Sequence, residues 1–215
     1  MESKTGNGLW TKAASVTFLV VLVQVITANF PIGKENRRRI QHALTGHLMV
    51  QVSYIIPPSV AIGLCLLGAG GMYSLLKFSP DEFRRIFGEL LRKEEFEGEQ
   101  LPGAFYFLLG TASTVAVAKD INTARYAVEC LAIADPLASW VGSNISSLKL
   151  NANSSLSGCL ACFVGAWCVG YLMLTHDTYV LSIGALVCSM AEAIDIGNDN
   201  FSVPVLTALA VENLV

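Results

Sequence analysis

Long apolar stretches separated by short polar breaks run through almost the whole chain, and the breaks hold proline, glycine or clustered charge. The first stretch covers about residues 9–30 and ends at Pro31 and Gly33. The second, about 38–56, is stopped by Pro57-Pro58, and the third runs from 59 to about 78. Four more follow at roughly 102–118, 124–141, 155–174 and 179–194, and a shorter apolar piece, 201–215, comes last. Each complete stretch is near the ~20 residues that an α-helix needs to cross the hydrocarbon core of a bilayer. One segment breaks the pattern. Residues 79–100 open with Ser79-Pro80-Asp81-Glu82, a helix start, and place Phe83, Ile86, Phe87, Leu90 and Leu91 on one face. An amphipathic helix lying at the membrane interface is predicted there.

The pattern therefore predicts an all-α, polytopic integral membrane protein with about seven to eight transmembrane helices plus one amphipathic interfacial helix. Residues 1–8 read as an N-terminal tail and 9–215 as a single transmembrane domain, with no internal repeat or low-complexity linker to divide it. The first stretch is long for a signal-peptide core and lacks a cleavage site, so it is expected to stay as a signal anchor.

Composition agrees with this class. Of 215 residues 53% are hydrophobic and 14% charged, with a mean hydropathy of +0.54, against about 25% charged in a soluble domain. The net charge of −3 matters less than where the charges lie. Basic residues sit in short loops, which makes nucleic acid an unsuitable partner. Alternating the spans puts Lys34, Arg37, Arg38, Arg39, Lys77, Arg84, Arg85, Arg92, Lys93 and Lys149 on one side and Lys4, Lys12, Lys119 and Arg125 on the other. The richer side is expected to face the cytosol. All six cysteines lie in apolar segments, and Cys159-x-x-Cys162 has no histidine or second pair beside it, so small packing residues are expected rather than zinc or redox ligands.

Against this background the polar residues inside the apolar stretches stand out. Asp135 lies in ARYAVECLAIADPLASWV, and an aspartate near a transmembrane helix centre costs about 2.5–3.5 kcal/mol on insertion scales. Such an acid is usually paired, metal-bound or facing a wet cavity. Ala138 and Gly142 follow it as a small-residue stripe that would let a helix or a nucleotide come close. Glu35, Arg38, Arg39, His42 and Gly46 are separated by steps of three and four residues and share one helical face. That face could clamp phosphates, because guanidinium groups present forked donors to phosphate oxygens. Ser154-Ser-Leu-Ser157-Gly158 opens the next span, where helix N–H groups could hold an anion. Glu192 and Asp195 are one turn apart, and Asp199 and Asn200 follow a glycine break. Two or three carboxylates converging with Asp135 would suit a magnesium ion carrying a nucleotide.

Taken together, these four motifs resemble the CTP-dependent lipid kinases, a family that includes dolichol kinase, phytol kinase and the fungal-type CTP-dependent diacylglycerol kinase. The family's E-x-x-R-K-x-x-H is matched by Glu35, Arg38, Arg39 and His42, and its D-x-x-A-x-x-x-G by Asp135, Ala138 and Gly142. Its Ser-Leu-x-Gly is matched by Ser155, Leu156 and Gly158, and its Glu…Asp-Asn…Pro ending by Glu192, Asp199, Asn200 and Pro204. The diacylglycerol kinase branch is the most similar, in the ending AEAIDIGNDNFSVPVL and in FGELLRKEEFEGEQLPGAFYFLLG. The chain departs from the family at Ala134, where Gly or Ser is frequent, at Ser143, Asn144 and Ser146, where basic residues and a second glycine are usual, and at Ser154 and Ser157, where lysine and glutamate are frequent.

The resemblance implies phosphoryl transfer from CTP to the hydroxyl of a membrane lipid, diacylglycerol giving phosphatidate, with dolichol and phytol as alternative acceptors. It implies catalytic Asp135, with His42 or Glu192 accepting the hydroxyl proton, and phosphate contacts from Arg38, Arg39, Lys149, Gly142 and Gly158. Asp135 and Asp199 would hold Mg2+ or another divalent cation such as Ca2+, supported by Glu35, Ala138 and Asn200. The implied location is the endoplasmic reticulum or nuclear envelope, with the site facing the cytosol and the sequons at Asn144, Asn153 and Asn200 unglycosylated. Readings of other classes are an anion transporter, which should show inverted repeats, and a non-catalytic membrane relative.

Overall fold

The structure, a computed structural model, describes residues 3–88, 90–98, 100–194 and 197–214, with the side chains of residues 3–10, 13, 16, 17 and 28 outside that description. Asp195 and Val215 lie outside the described residues. Ten helices follow one another among those described: α1 Ser3–Ala28, α2 Lys34–Val52, α3 Pro58–Phe78, α4 Pro80–Phe87, α5 Lys93–Glu97, α6 Gly103–Val117, α7 Ile121–Asn144, α8 Leu156–Met173, α9 Thr178–Ile194 and α10 Asp199–Glu212. The chain is 79% helical, and no strand occurs among the described residues. A lone antiparallel bridge joins Lys149 to Ser155.

The helix starts follow local chemistry. Pro58 and Pro80 stand in the first turns of α3 and α4, where the missing N–H costs nothing. Asp120, Ser155 and Asn198 cap α7, α8 and α10 with side-chain oxygens that accept from Asn122 N, Gly158 N and Asn200 N. Where one amphipathic helix was expected over 79–100, two short ones form. α4 ends at Phe87 and α5 begins at Lys93, with Phe83 buried on α4 and Leu91 buried in the break between them.

α7 is the axis of the bundle. It packs against α2, α6, α8 and α10, while α9 closes on α8 and α10 and α3 lies outside on α6. The core runs along α7 through Tyr126, Cys130, Leu131, Ala134 and Ala138 to Cys162, Ala166 and Cys188. Small residues set its closeness: a Cβ on Gly46 would lie 2.5 Å from Ala132 Cβ. Cys162 Sγ and Cys188 Sγ are 3.8 Å apart, and Cys65, Cys130, Cys162 and Cys188 are buried as free thiols while Cys168 is exposed. Among the described residues two helices, Pro58–Phe78 and Leu156–Met173, are long and apolar enough to cross a membrane. Large apolar side chains such as Leu67, Leu160 and Leu172 stand exposed on their outer faces, as lipid-facing side chains would.

Candidate functional site

Three helices bring three carboxylates to one place. Asp135 comes from the middle of α7, Glu192 from the last turn of α9 and Asp199 from the first turn of α10, and one oxygen of each lies within 4.8 Å of the others. Gly197, two residues before α10, has φ 77°, a left-handed conformation that favours glycine. α10 then presses on α6 so closely that a Cβ on Gly110 would land on the Asn200 carbonyl oxygen. Asn200 is buried there, and its side-chain amide donates to the Gly103 carbonyl at 3.3 Å. It secures the helix that carries Asp199.

His42 reaches the cluster from α2. Its Nε2 lies 3.4 Å from Asp135 Oδ2 and donates to the Leu131 carbonyl at 3.0 Å, while its ring stands edge-on to Phe107. Pro136 continues α7 without a break, but it has no N–H to give to the Ala132 carbonyl. α7 is thus locally short of its own hydrogen bonds beside Asp135.

Glu35, Arg38 and Arg39 lie one to two turns before His42. Glu35 binds Arg38 in a fork, at 3.2 and 2.8 Å, and Arg39 lies 3.4 Å from the same carboxylate. The hydrogen bond from Arg38, with the charges of Arg38, Arg39 and Arg92 behind it, holds the Glu35 carboxyl below the usual carboxylate range. Arg39 turns to α7, donating to Ser139 Oγ at 2.9 Å and Ser143 Oγ at 3.2 Å. Its present work is to dock α2 on α7.

The expected small-residue stripe serves helix packing. Ala138, Gly142 and Gly158 form the α7–α8 crossing, where a Cβ on Gly142 would lie 2.8 Å from Ser155 Oγ and one on Gly158 3.0 Å from the Ala138 carbonyl oxygen. The α8 N-terminus is satisfied by side chains, since Ser155 Oγ accepts from Gly158 N and Ser147 Oγ from Ser157 N. Lys149 is exposed in the preceding loop, bridged to Ser155 at the entry of α8.

Sequence reasoning missed Arg92 and Glu95. Glu95 is buried and its carboxylate accepts from Arg92 N and Gly103 N, each at 2.7 Å, which ties the α4–α5 break to the start of α6. A cavity of about 740 Å³ opens beside it, lined by Lys34, Arg38, Arg84, Arg85, Arg92 and Lys93 with Glu35. Arg38 and Arg92 are the cations whose charges act on Asp135. The only forewarning in the sequence was a glutamate three residues after Arg92, the spacing of a helix start.

A divalent cation fits the residues present. Three carboxylates this close repel one another unless a positive charge lies between them. Glu192 Oε2 is buried with no hydrogen-bond partner among the described residues, an arrangement that is costly unless something positive meets it.

Comparison with known proteins gives two distant relatives. An uncharacterised protein of Methanocaldococcus jannaschii is 28% identical over 174 residues, 78% of this chain and 84% of that protein. CTP-dependent diacylglycerol kinase 1 of Eremothecium gossypii is 29% identical over 160 residues, 61% of this chain and 49% of the kinase. The matched stretch thus spans about half the length of that kinase. No family model and no solved structure matches the chain.

Proposed function

We propose that this chain is a polytopic membrane kinase of one domain that transfers the γ-phosphoryl group of CTP to the hydroxyl of a membrane lipid, diacylglycerol above all. The observation that carries the reading is the meeting of Asp135, Glu192 and Asp199, with Arg38, one turn before the His42 that contacts Asp135, lining a cavity of six cations. The similarity to a CTP-dependent diacylglycerol kinase supports it. A cluster of acids facing a cluster of bases suits a cation–polyphosphate pair, in which each half neutralises one side.

The chemistry asks for positioning more than for covalent participation. The lipid hydroxyl oxygen forms a bond to the γ-phosphorus as the bond from that phosphorus to the β–γ bridging oxygen breaks, and CDP leaves. The hydroxyl proton passes to a carboxylate oxygen of the cluster, late enough that no strong base is needed. Asp135, Glu192 and Asp199 would hold the divalent cation, which when bound neutralises charge on the phosphate oxygens. His42 fixes Asp135 and the Leu131 carbonyl, and Arg38 offers its guanidinium to phosphate across the Glu35 fork.

A membrane acceptor suits the rest of the molecule. An apolar cavity of about 240 Å³ lies between α1, α2, α3, α6 and α7 and is lined by Met49, Cys65, Leu108 and Val128 among others. Val128 is seven residues from Asp135 along α7, about 10 Å, a reach suited to an acyl chain whose hydroxyl end lies at the acids. In this reading α1, α2, α6, α7, α9 and α10 cross or enter the bilayer together with α3 and α8, giving seven to eight spans. The arginine-rich end faces the cytosol, where CTP is found, in the endoplasmic reticulum or nuclear envelope.

The test is a phosphotransfer assay on purified protein in mixed micelles, with γ-labelled CTP or ATP, Mg2+, and diacylglycerol or dolichol, alongside Asp135→Ala. Label in phosphatidate from CTP, lost in the variant, is the expected result. Label in dolichyl phosphate would change the acceptor and keep the mechanism. No label with any pair from folded protein would overturn the reading in favour of a non-catalytic relative.

A further inference from the structure

We infer that the cavity beside α4 and α5 is a polyphosphate-binding basin and that Arg92 is the residue that carries the bound phosphates from this basin to the acid cluster. The inference rests on the kinase reading for the identity of the anion, but the site itself is built by the fold.

The basin is a fixed part of the molecule. Phe83 and Leu91 are buried beneath α4 and the break that follows it. A chain of hydrogen bonds then runs from the Arg92 backbone N–H to Glu95, from Glu95 to the Gly103 N–H, and from the Gly103 carbonyl to the Asn200 side chain. Asn200 is the neighbour of Asp199 and its backbone N–H donates to Asp199 Oδ1. The backbone of Arg92 is therefore registered against the residue that presents one of the three acids, across an interval of more than a hundred residues in sequence.

The charges lining the basin are unequal in their commitments. Lys34 donates to the Gly88 carbonyl, Arg38 is held by Glu35, Arg84 lies 3.6 Å from Asp81, Arg85 pairs with Glu82, and Lys93 lies 3.9 Å from Glu97. The Arg92 guanidinium has no ion-pair partner among the described residues, while its backbone and side chain meet Glu95 at the start of α5 and its charge is near enough to favour the ionised forms of Asp135 and Glu192. A guanidinium without an ion-pair partner, lining the basin and backbone-linked to the helix that carries Asp199, matches a phosphate chain whose far end is bound by the basin and whose near end meets the acids through a cation. A phospholipid headgroup shares the phosphate chemistry but presents one phosphate, which would fill only part of a space of about 740 Å³.

The experiment measures binding apart from catalysis. The full chain, purified in an uncharged detergent, is titrated with CTP plus Mg2+ and separately with inorganic tripolyphosphate, and the KM for CTP is measured on the same samples. Arg92→Ala, Arg92→Lys and, at the opposite end of the bundle, Lys119→Ala are compared. The expected result is that Arg92→Ala weakens tripolyphosphate and CTP alike by about tenfold or more. Arg92→Lys should recover part of this, with KM rising more than kcat falls, and Lys119→Ala should match the parent chain. Unchanged tripolyphosphate affinity in Arg92→Ala, with lipid phosphorylation intact, would overturn the basin and leave the kinase. Arg92-dependent tripolyphosphate binding in a protein that phosphorylates no lipid would support the basin and overturn the kinase. Binding only to vesicles containing anionic phospholipid, lost in Arg92→Ala, would assign the cavity to headgroups and overturn the inference.

Discussion

His42 Nε2 lies 3.4 Å from Asp135 Oδ2, and the same nitrogen is 3.0 Å from the Leu131 carbonyl oxygen. A carbonyl only accepts, so Nε2 carries the hydrogen and has no free lone pair with which to take a proton from a substrate. The pair therefore points to an orienting role. His42 holds the carboxylate of α7 while bonding to the Leu131 carbonyl, next to the Ala132 carbonyl that Pro136 leaves without its helical donor.

Glutamine should replace His42 better than alanine does. Its amide nitrogen extends to about the position of Nε2 and can donate to Leu131 O, whereas alanine leaves the carbonyl and the acid unsupported. His42→Gln is expected to keep lipid phosphorylation within about tenfold of the parent, and His42→Ala to lose the roughly 10²-fold or more that marks a lost catalytic group. Equal loss in both, together with disappearance of an ionisation from the rate–pH profile, would make His42 the proton acceptor after all.

The acid cluster predicts opposite effects of one substitution with and without a divalent cation. Three carboxylates within 4.8 Å destabilise the protein when nothing positive lies between them. In EDTA, Asp199→Asn should melt at the same temperature as the parent chain or higher, because the asparagine oxygen can still accept from Asn200 N. With Mg2+ the order should reverse, since a ligand that binds the folded state raises its stability in proportion to its affinity. Thermal melts in detergent across a Mg2+ series read both arms. A parent chain whose melting temperature ignores Mg2+, Mn2+ and Ca2+ would remove the cation from the proposal.

How much of this was visible beforehand depended on the kind of signal. The helices were legible because proline, glycine and capping residues punctuate the chain, so the stretch expected at 59–78 became Pro58–Phe78 and that at 179–194 became Thr178–Ile194. The number of spans was less so. Among the described residues only α3 and α8 reach membrane-spanning length and hydropathy: α6 and α10 are short and α7 carries Glu129 and Asp135. Within the site, an aspartate in an apolar run announced itself, and so did the Glu35–His42 face. The partners of Gly142 and Gly158 could not be read, since a small residue looks the same whether a helix or a ligand lies against it. Arg92 was hidden by its company: in a segment of mixed charge its role depends on the buried Glu95 that holds its backbone, a long-range contact that no local spacing encodes.

Gly110 should couple stability to chemistry. A methyl there would land on the Asn200 carbonyl oxygen and 2.9 Å from Phe201 Cα, both of them backbone, so α10 must move away from α6. Overpacking of this kind costs about 1–3 kcal/mol, and the displaced helix carries Asp199. Gly110→Ala is expected to lower the melting temperature, reduce kcat and raise the Mg2+ concentration needed for half-maximal rate. Gly142→Ala, at the α7–α8 crossing, should destabilise without changing the KM for CTP. A raised KM there, with stability unchanged, would return the small-residue stripe to the nucleotide.

The last prediction concerns sidedness, on which the nucleotide supply depends. Asp135 lies nine residues before Asn144, about 13 Å along α7, so the acids share the end of the bundle that carries the 145–155 loop. The sequon at Asn200 cannot report on this, because Asn200 is buried against Gly103 whichever way the protein faces. Asn144 and Asn153 are exposed and can. In a eukaryotic host neither should carry glycan, and a positive signal should come from cysteine labelling after removal of the exposed Cys168. In intact microsomes a membrane-impermeant maleimide should modify Asn153→Cys directly, whereas Lys119→Cys, at the other end of α7, should react only after the membrane is opened. The reverse order, or glycan at Asn144 or Asn153, would put the carboxylates and the cationic basin on the lumenal face. A kinase drawing on cytosolic CTP could not work from there, and the proposed function would fall with the topology.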